Sequence, residues 1–354
     1  MLINFYKAEA ITVDVFNQEV FEYDVLNEEL RFSSDAYSFI SNLDSASSGF
    51  GWDNIRCALI ASGIFPLRES ECYRRFIEDL VEACSKSRGE PLTYGSMVKV
   101  GIDTNILILR LFSSYVLDDL GDYISNIVIY VQGAVKAELK KLILEEYRVA
   151  TGRGIISGFK NLFRRISSIQ RLRSRLVRCG MPTLKARRAF IGLVELEELR
   201  GVMRVIDGIP TMLYGDRMIV EEFKKGRVNF VVTMDAHIAK MLRVDATPTY
   251  SYFIRQPSMD EVKQYVSRRI KNVELFKILK LLHCLVNYYW GNVKLMVAAK
   301  GRIIPPTYTL LPSKENPRML TLVPQGEDES KDLKEMSKVV ERLKVIKEFL
   351  EVKL

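Results

Sequence analysis

Apolar and polar residues alternate in Ala10-Ile11-Thr12-Val13-Asp14-Val15-Phe16 and again in Glu19-Val20-Phe21-Glu22-Tyr23-Asp24-Val25. A period of two predicts two strands, each with one face on a core, joined as a hairpin around Asn17-Gln18. A Ser-, Gly- and Asp-rich stretch runs from Ser33 to Trp52, and Phe76, Ile77, Leu80, Val81 and Cys84 then recur at helical spacing. The turn-rich segment 85–95 (SKSRGEPLTYG) reads as the seam closing an N-terminal module. Beyond it the pattern changes. Val98 to Asp103, Ile127 to Val131 and Phe230 to Thr233 are short, mostly apolar runs, with helical patterns at Ala134–Leu144, Arg187–Arg204 and Arg217–Phe223. Such alternation predicts parallel strands buried on both faces by helices. In the last third, Asp260–His283 has a helical pattern, and Val293–Leu322 carries strand-like runs broken by Pro305-Pro306, Pro312 and Pro317. Lys331–Val352 forms a charged amphipathic pattern whose stripe (Leu333, Met336, Val340, Leu343, Ile346, Leu350) must pack on the body or on a partner, so a homodimer or a protein partner is expected there. The expected division is an α+β module at 1–95, a central α/β domain at 96–245 with an insertion at about 150–190, and a C-terminal α+β region at 246–354.

Composition narrows the class. The 354 residues are 48% hydrophobic and 27% charged, which excludes collagen-like and disordered chains. A chain this long buries a core without staples. Its five cysteines contain no C-x-x-C pair, so neither a disulfide framework nor a zinc knuckle is expected, and a reducing, cytoplasmic setting is the simpler reading. Met1 to Lys7 lacks a basic stretch followed by an apolar run, so no secretory leader is expected. Leu281–Trp290 is the densest late apolar stretch and contains His283 and Asn287, so no integral membrane association is expected. The formal charge is +8, modest enough that its distribution matters more than its sum.

Acidic residues recur where strands end. Asp103 and Asp235 close two of the apolar runs, Glu138 lies in a helix, and Asp216 follows Gly215 at a helix start. In an open parallel sheet such positions gather along the carboxyl edge, where ligands bind. Carboxylates crowded there repel one another, and a hard cation such as Mg²⁺ relieves the repulsion and polarises a phosphodiester. The plain alternative is that Asp103-Thr104-Asn105 is a helix cap. Read together, Val100-Gly101-Ile102-Asp103-Thr104-Asn105-Ile106-Leu107, Val131 to Leu139 (VQGAVKAEL), Gly215-Asp216 and Val231-Val232-Thr233-Met234-Asp235 resemble, in order, the four acidic motifs of PIN-domain nucleases, over Val98 to about Leu242. The resemblance implies a compact PIN-like parallel sheet flanked by helices and a Mg²⁺- or Mn²⁺-dependent endonuclease, acting on RNA rather than DNA. It implies Asp103, Glu138, Asp216 and Asp235 as metal ligands and catalytic groups, with Asn105 and Thr233 orienting ligand or phosphate. Glu138 and Asp216 lie 78 residues apart, which implies an insertion and leaves Asp207, Glu195 and Glu197 as substitutes for the third acid.

That insertion is basic. From Arg153 to Arg188 there are 11 Lys or Arg (Arg153, Lys160, Arg164, Arg165, Arg171, Arg173, Arg175, Arg178, Lys185, Arg187 and Arg188) and no acid. Guanidinium forks match phosphate oxygens, so the segment is read as a nucleic-acid contact; a solvated helical face and an anionic membrane surface are the alternatives. Gly152–Gly158 lacks the phosphate-loop arrangement. His237 and His283 are the only histidines and there is no G-x-S-x-G elbow, so serine- or cysteine-histidine catalysis is poorly supported. Tyr288-Tyr289-Trp290 reads as core rather than a base-stacking platform. The competing functions are a noncatalytic RNA- or DNA-binding protein, or an assembly factor, with a degenerate PIN-like domain. Replacing Arg164, Arg165, Arg171 and Arg173 together by Gln should weaken RNA binding and flatten its log–log salt dependence by roughly three units, measured by anisotropy titrations at several salt concentrations.

Overall fold

The structure, a computed structural model, describes residues 8–46, 51–87, 97–151, 184–209, 211, 214–244, 250–289, 292–299, 302–312 and 320–324. These residues fall into two compact units, one drawn from Met1–Ser62 and Pro257–Leu354, the other from Gly63–Ile169 and Arg175–Gln256. In chain order the strands are β1 (Ala10–Val15), β2 (Gln18–Asp24), β3 (Glu29–Phe32), β4 (Val98–Ile102), β5 (Ile127–Val131), β6 (Arg204–Asp207), β7 (Phe230–Thr233), β8 (Tyr250–Phe253), β9 (Val293–Ala299), β10 (Arg302–Pro312) and β11 (Leu320–Pro324).

The first unit is built on an antiparallel sheet of order β11-β10-β9-β1-β2-β3. The sequence leaves open whether the two flanking regions fold apart; the sheet joins them, with β1 paired to β9 from Ala10↔Ala298 to Val15↔Val293. The β1–β2 hairpin turns one residue earlier than its alternation predicts. Phe16 and Asn17 occupy the two loop positions with φ of 52° and 63°, the backbone that a two-residue type I′ connection requires. Asn tolerates this region; Phe16 is an unusual occupant, and its ring meets Tyr289 edge-on at 6.0 Å. Ile11, Val13 and Val15 point to the core, as the period of two demands. The sequence pattern at 260–283 resolves into two helices, Met259–Val266 and Leu275–Tyr289, separated where Asn272 takes φ of 57° and Ile270 bridges to Leu30. The first starts on a reciprocal capping box between Ser258 and Glu261. The second is the core helix: Tyr288 and Tyr289 are fully buried, as the core reading requires, and so are His283 and Asn287, whose Nδ2 donates to the His283 carbonyl at 2.7 Å. Pro305-Pro306 does not end β10. The register slips there instead, between Ile304↔Val297 and Tyr308↔Leu295, because neither proline has an N–H to give the ladder.

The second unit is α/β, with a parallel sheet of order β6-β5-β4-β7-β8. β4, β5 and β7 are almost wholly buried, which is why they read as unbroken apolar runs. The helix Glu71–Ser87, placed by the seam at 85–95 in an N-terminal module, packs on β4 and β8, with Phe76 against Tyr252 at 5.3 Å between ring centres. Leu184–Val202 packs on helices Gly133–Thr151 and Thr104–Ile108, and its buried residues, Arg187 and Glu195 among them, are spread around the helix rather than confined to one stripe. β6 and β8 are edge strands with half-exposed residues, so no apolar run announces them; β6 starts at Arg204, the last residue of the stretch the sequence reads as a helix.

Helix Asp216–Gly226 reaches the sheet through Phe223, whose ring occupies the place a side chain on Gly101 would need: a Cβ there would stand 2.3 Å from a ring carbon. Gly101→Ala should therefore destabilise the fold by about 1–3 kcal/mol, read as a lowered urea midpoint with an unchanged slope.

Candidate functional site

Strand order locates the site. From β4 the chain adds β5 and β6 on one side, then crosses to add β7 and β8 on the other, so the direction of winding reverses between β4 and β7. A crevice opens at such a point beyond the carboxyl ends of the strands. Asp103 follows β4 and caps helix Thr104–Ile108, its Oδ1 accepting from the Ile106 N–H at 2.8 Å. Its Oδ2 accepts from the hydroxyl of Thr233 at the end of β7. The same Thr233 oxygen accepts from the Asp235 N–H at 2.9 Å. Asp235 in turn caps helix Ala236–Val244, its Oδ1 accepting from the N–H of His237 at 2.7 Å and of Ile238 at 3.3 Å. Two helix amino termini thus begin beside the crevice, each with its positive end on a carboxylate.

Glu138 approaches from helix Gly133–Thr151. Its Oε2 accepts from the Thr104 hydroxyl at 2.5 Å, and the charges of Asp216 and Asp235 both act on it. Burial is the main cause of its raised pKa, with those two carboxylates adding to the rise. Asp103 is 1% exposed, and burial pushes its carboxyl up to about 6; the Thr233 and Ile106 hydrogen bonds oppose the rise and the charge of Asp235 adds to it. Asp216 begins helix Asp216–Gly226 after Gly215, whose φ of 109° suits glycine, and its Oδ2 lies 2.7 Å from Nδ1 of His237. Asp235 thus acts on both Asp103 and Glu138, and Asp216 acts on Glu138.

The substitutes for the third acid are engaged elsewhere. Glu195 is buried in an ion cluster with Arg110 at 3.4 Å and accepts from the Ser113 hydroxyl and amide. Asp207 pairs with Lys136 at 2.9 Å and Arg200 at 2.7 Å, and Glu197 faces Arg200. Asn105 sits half-buried in the first turn of its helix. Of the basic residues, Arg153, Lys160, Arg164, Arg165, Arg171, Arg173, Arg175 and Arg178 lie outside the described residues, as does the amphipathic stretch Lys331–Val352. Lys185 is exposed and Arg188 half-buried. Arg187 departs from the expectation of a solvent-facing phosphate contact: it is 5% exposed, and burial lowers its pKa to about 10. Thr104 was not legible as a site residue; its signal is a hydroxyl beside a capping Asp, common to many ordinary helix starts.

Carboxylate oxygens are the donors that Mg²⁺ and Mn²⁺ prefer, and mutual repulsion among these acids is what a cation would relieve. The spacing is looser than the chemistry. Among the described residues, no group of three or more His, Cys, Asp or Glu side chains is placed to hold a metal ion. No protein-family model matches the chain, and no curated protein matches it. A solved structure described as a domain of a functionally unknown protein from Methanocaldococcus jannaschii DSM 2661 matches at 17% identity over 46% of this chain and 94% of that one, with a TM-score of 0.29, a superposition too loose to carry any argument. Among the described residues no helix is long and apolar enough to cross a membrane.

A carboxyl whose pKa rises from 3.8 to about 6 on folding binds its proton more tightly in the folded state. Stability is then greatest below the unfolded value and falls as pH climbs from about 4 to 6. Asp103→Asn should remove this loss, stabilising the metal-free protein at neutral pH by up to about 3 kcal/mol and flattening the pH profile of urea unfolding.

Proposed function

We propose that the chain is a metal-dependent endonuclease with a PIN-like central domain, hydrolysing phosphodiester bonds in RNA rather than DNA. The observation that supports the reading is that the charge of Asp235 acts on both Asp103 and Glu138, and that of Asp216 on Glu138, with Asp103 and Asp235 beyond the strands between which the parallel sheet reverses its winding. Asp103 and Asp235 would hold Mg²⁺ or Mn²⁺, with Glu138 and Asp216 ligating directly or through water. When bound, the cation supplies Lewis acidity and a water of lowered pKa. Thr233 and Thr104 keep the carboxylates of Asp103 and Glu138 in place through their hydroxyls. The basic insertion would supply positive charge for the nucleic-acid backbone, a role left to its residues other than Arg187.

A specific observation favours the second reading, a noncatalytic nucleic-acid-binding protein. Both oxygens of Asp103 already accept hydrogen bonds, and three donors are not gathered among the described residues. Calorimetry with Mn²⁺ separates the two. The nuclease reading expects binding that disappears in Asp103→Asn and Asp235→Asn, together with Mn²⁺-dependent cleavage of labelled RNA that falls at least 10³-fold in Asp103→Asn, in keeping with losses seen when one electrostatic group is removed from a reacting centre. Undiminished cleavage by Asp103→Asn, or no Mn²⁺ uptake by the wild type, would sink it.

A further inference from the structure

Between the two acid-bearing helices stands an aromatic ring with a cation on it. Tyr214 precedes Asp216 by two residues and is 43% exposed. Lys141 sits one turn beyond Glu138 on helix Gly133–Thr151, and its Nζ lies 3.8 Å from the centre of the Tyr214 ring. The same ammonium acts on Glu138, holding its pKa down against the neighbouring carboxylates. Ile209, 83% exposed, adds an apolar side chain near the start of that helix, where its carbonyl packs against Gly133. Gly215, with φ of 109° and nothing within 4 Å of where a Cβ would stand, lets the chain turn between the ring and Asp216.

We propose that Tyr214 and Lys141 form a subsite for one unpaired nucleobase and its adjoining phosphate, at the rim of the carboxylate edge. The inference rests on the nuclease reading for what happens next to it, but its own chemistry is separate. Lys141 covers one face of the ring, so a base would stack on the opposite face, and stacking of this kind is tolerant of sequence. A base inside a duplex is already stacked on both sides, so the subsite selects single strands. The ammonium on the covered face adds positive charge beside the nucleotide, which offsets the repulsion between its phosphate and Glu138, Asp216 and Asp235. A Tyr–Lys contact serving stability alone would have no reason to prefer one nucleic-acid form over another.

The test uses the full chain carrying Asp103→Asn, in chelator, with fluorescein-labelled single-stranded RNA and a duplex of the same length, read by anisotropy. Adding Tyr214→Ala should weaken single-strand binding by about 5- to 100-fold and leave duplex binding unchanged, whereas Tyr214→Phe, which keeps the ring, should bind as the parent does. Lys141→Gln should reduce the salt dependence of single-strand binding by about one phosphate contact. The subsite is overturned if Tyr214→Ala binds like the parent, if Phe is as poor as Ala, or if single strand and duplex lose affinity equally. Melting curves confirm that each variant is folded. The outcome is separable from the nuclease reading. RNA cleavage by the wild type with no Tyr214 effect removes the subsite and leaves the nuclease. A ring-dependent single-strand preference without Mn²⁺-dependent cleavage removes the nuclease and leaves the subsite.

Discussion

A carboxylate taken out of water is costly unless something receives its oxygens, and Asp103 is received twice: by the Ile106 amide on its own helix and by the Thr233 hydroxyl from the strand across the sheet. That pair of bonds ties β4 to β7 where the winding reverses, and Thr233 extends the chain of contacts to the Asp235 amide. The next two helices start from Asp103 and Asp235, so the backbone directions beyond both strands follow from these caps. The bonds lower the pKa of Asp103 and burial raises it by more, so the protonated carboxyl is favoured over what a solvated Asp would show.

A second polar cluster ties together helices of the same unit. Arg110, with φ of 51°, turns its guanidinium to Glu195 and Glu198 on helix Leu184–Val202, and Glu195 also receives the amide and hydroxyl of Ser113. Buried pairs of this kind add little net stability, but losing one partner strands the other in the core. They hold the helix that follows the basic insertion against the helix that follows Asp103. Glu195 is therefore committed to Arg110 and Ser113 inside the unit.

The two units also impose an order on folding. β1 finds its partner β9 only after some 280 intervening residues, those of the α/β unit among them. Closing so long a loop is entropically costly and slow relative to local contacts. The antiparallel unit is therefore the later of the two to complete, and the β1–β2 hairpin waits with one edge unpaired until β9 is available.

What the chain determined by itself was local. Unbroken apolar runs marked β4, β5 and β7, since a strand buried on both faces has no polar side to show, and alternation marked β1 and β2. The acids at strand ends followed from the same runs. The edge strands β6 and β8 stay hidden because half-exposed residues carry no distinctive period, β3 because its alternation spans only four residues, and nothing in the spacing of 260–283 marks the break at Asn272. Only the tertiary structure distinguished the candidates for the third acid by their surroundings. Asp216, Asp207, Glu195 and Glu197 are equivalent as letters, but three of them face arginine or lysine partners and one faces Glu138 and His237. It alone placed Thr104 on Glu138, Lys141 on Tyr214 and Arg187 in the interior, because each depends on how helices far apart in the chain pack together, and no single helix's period contains that information.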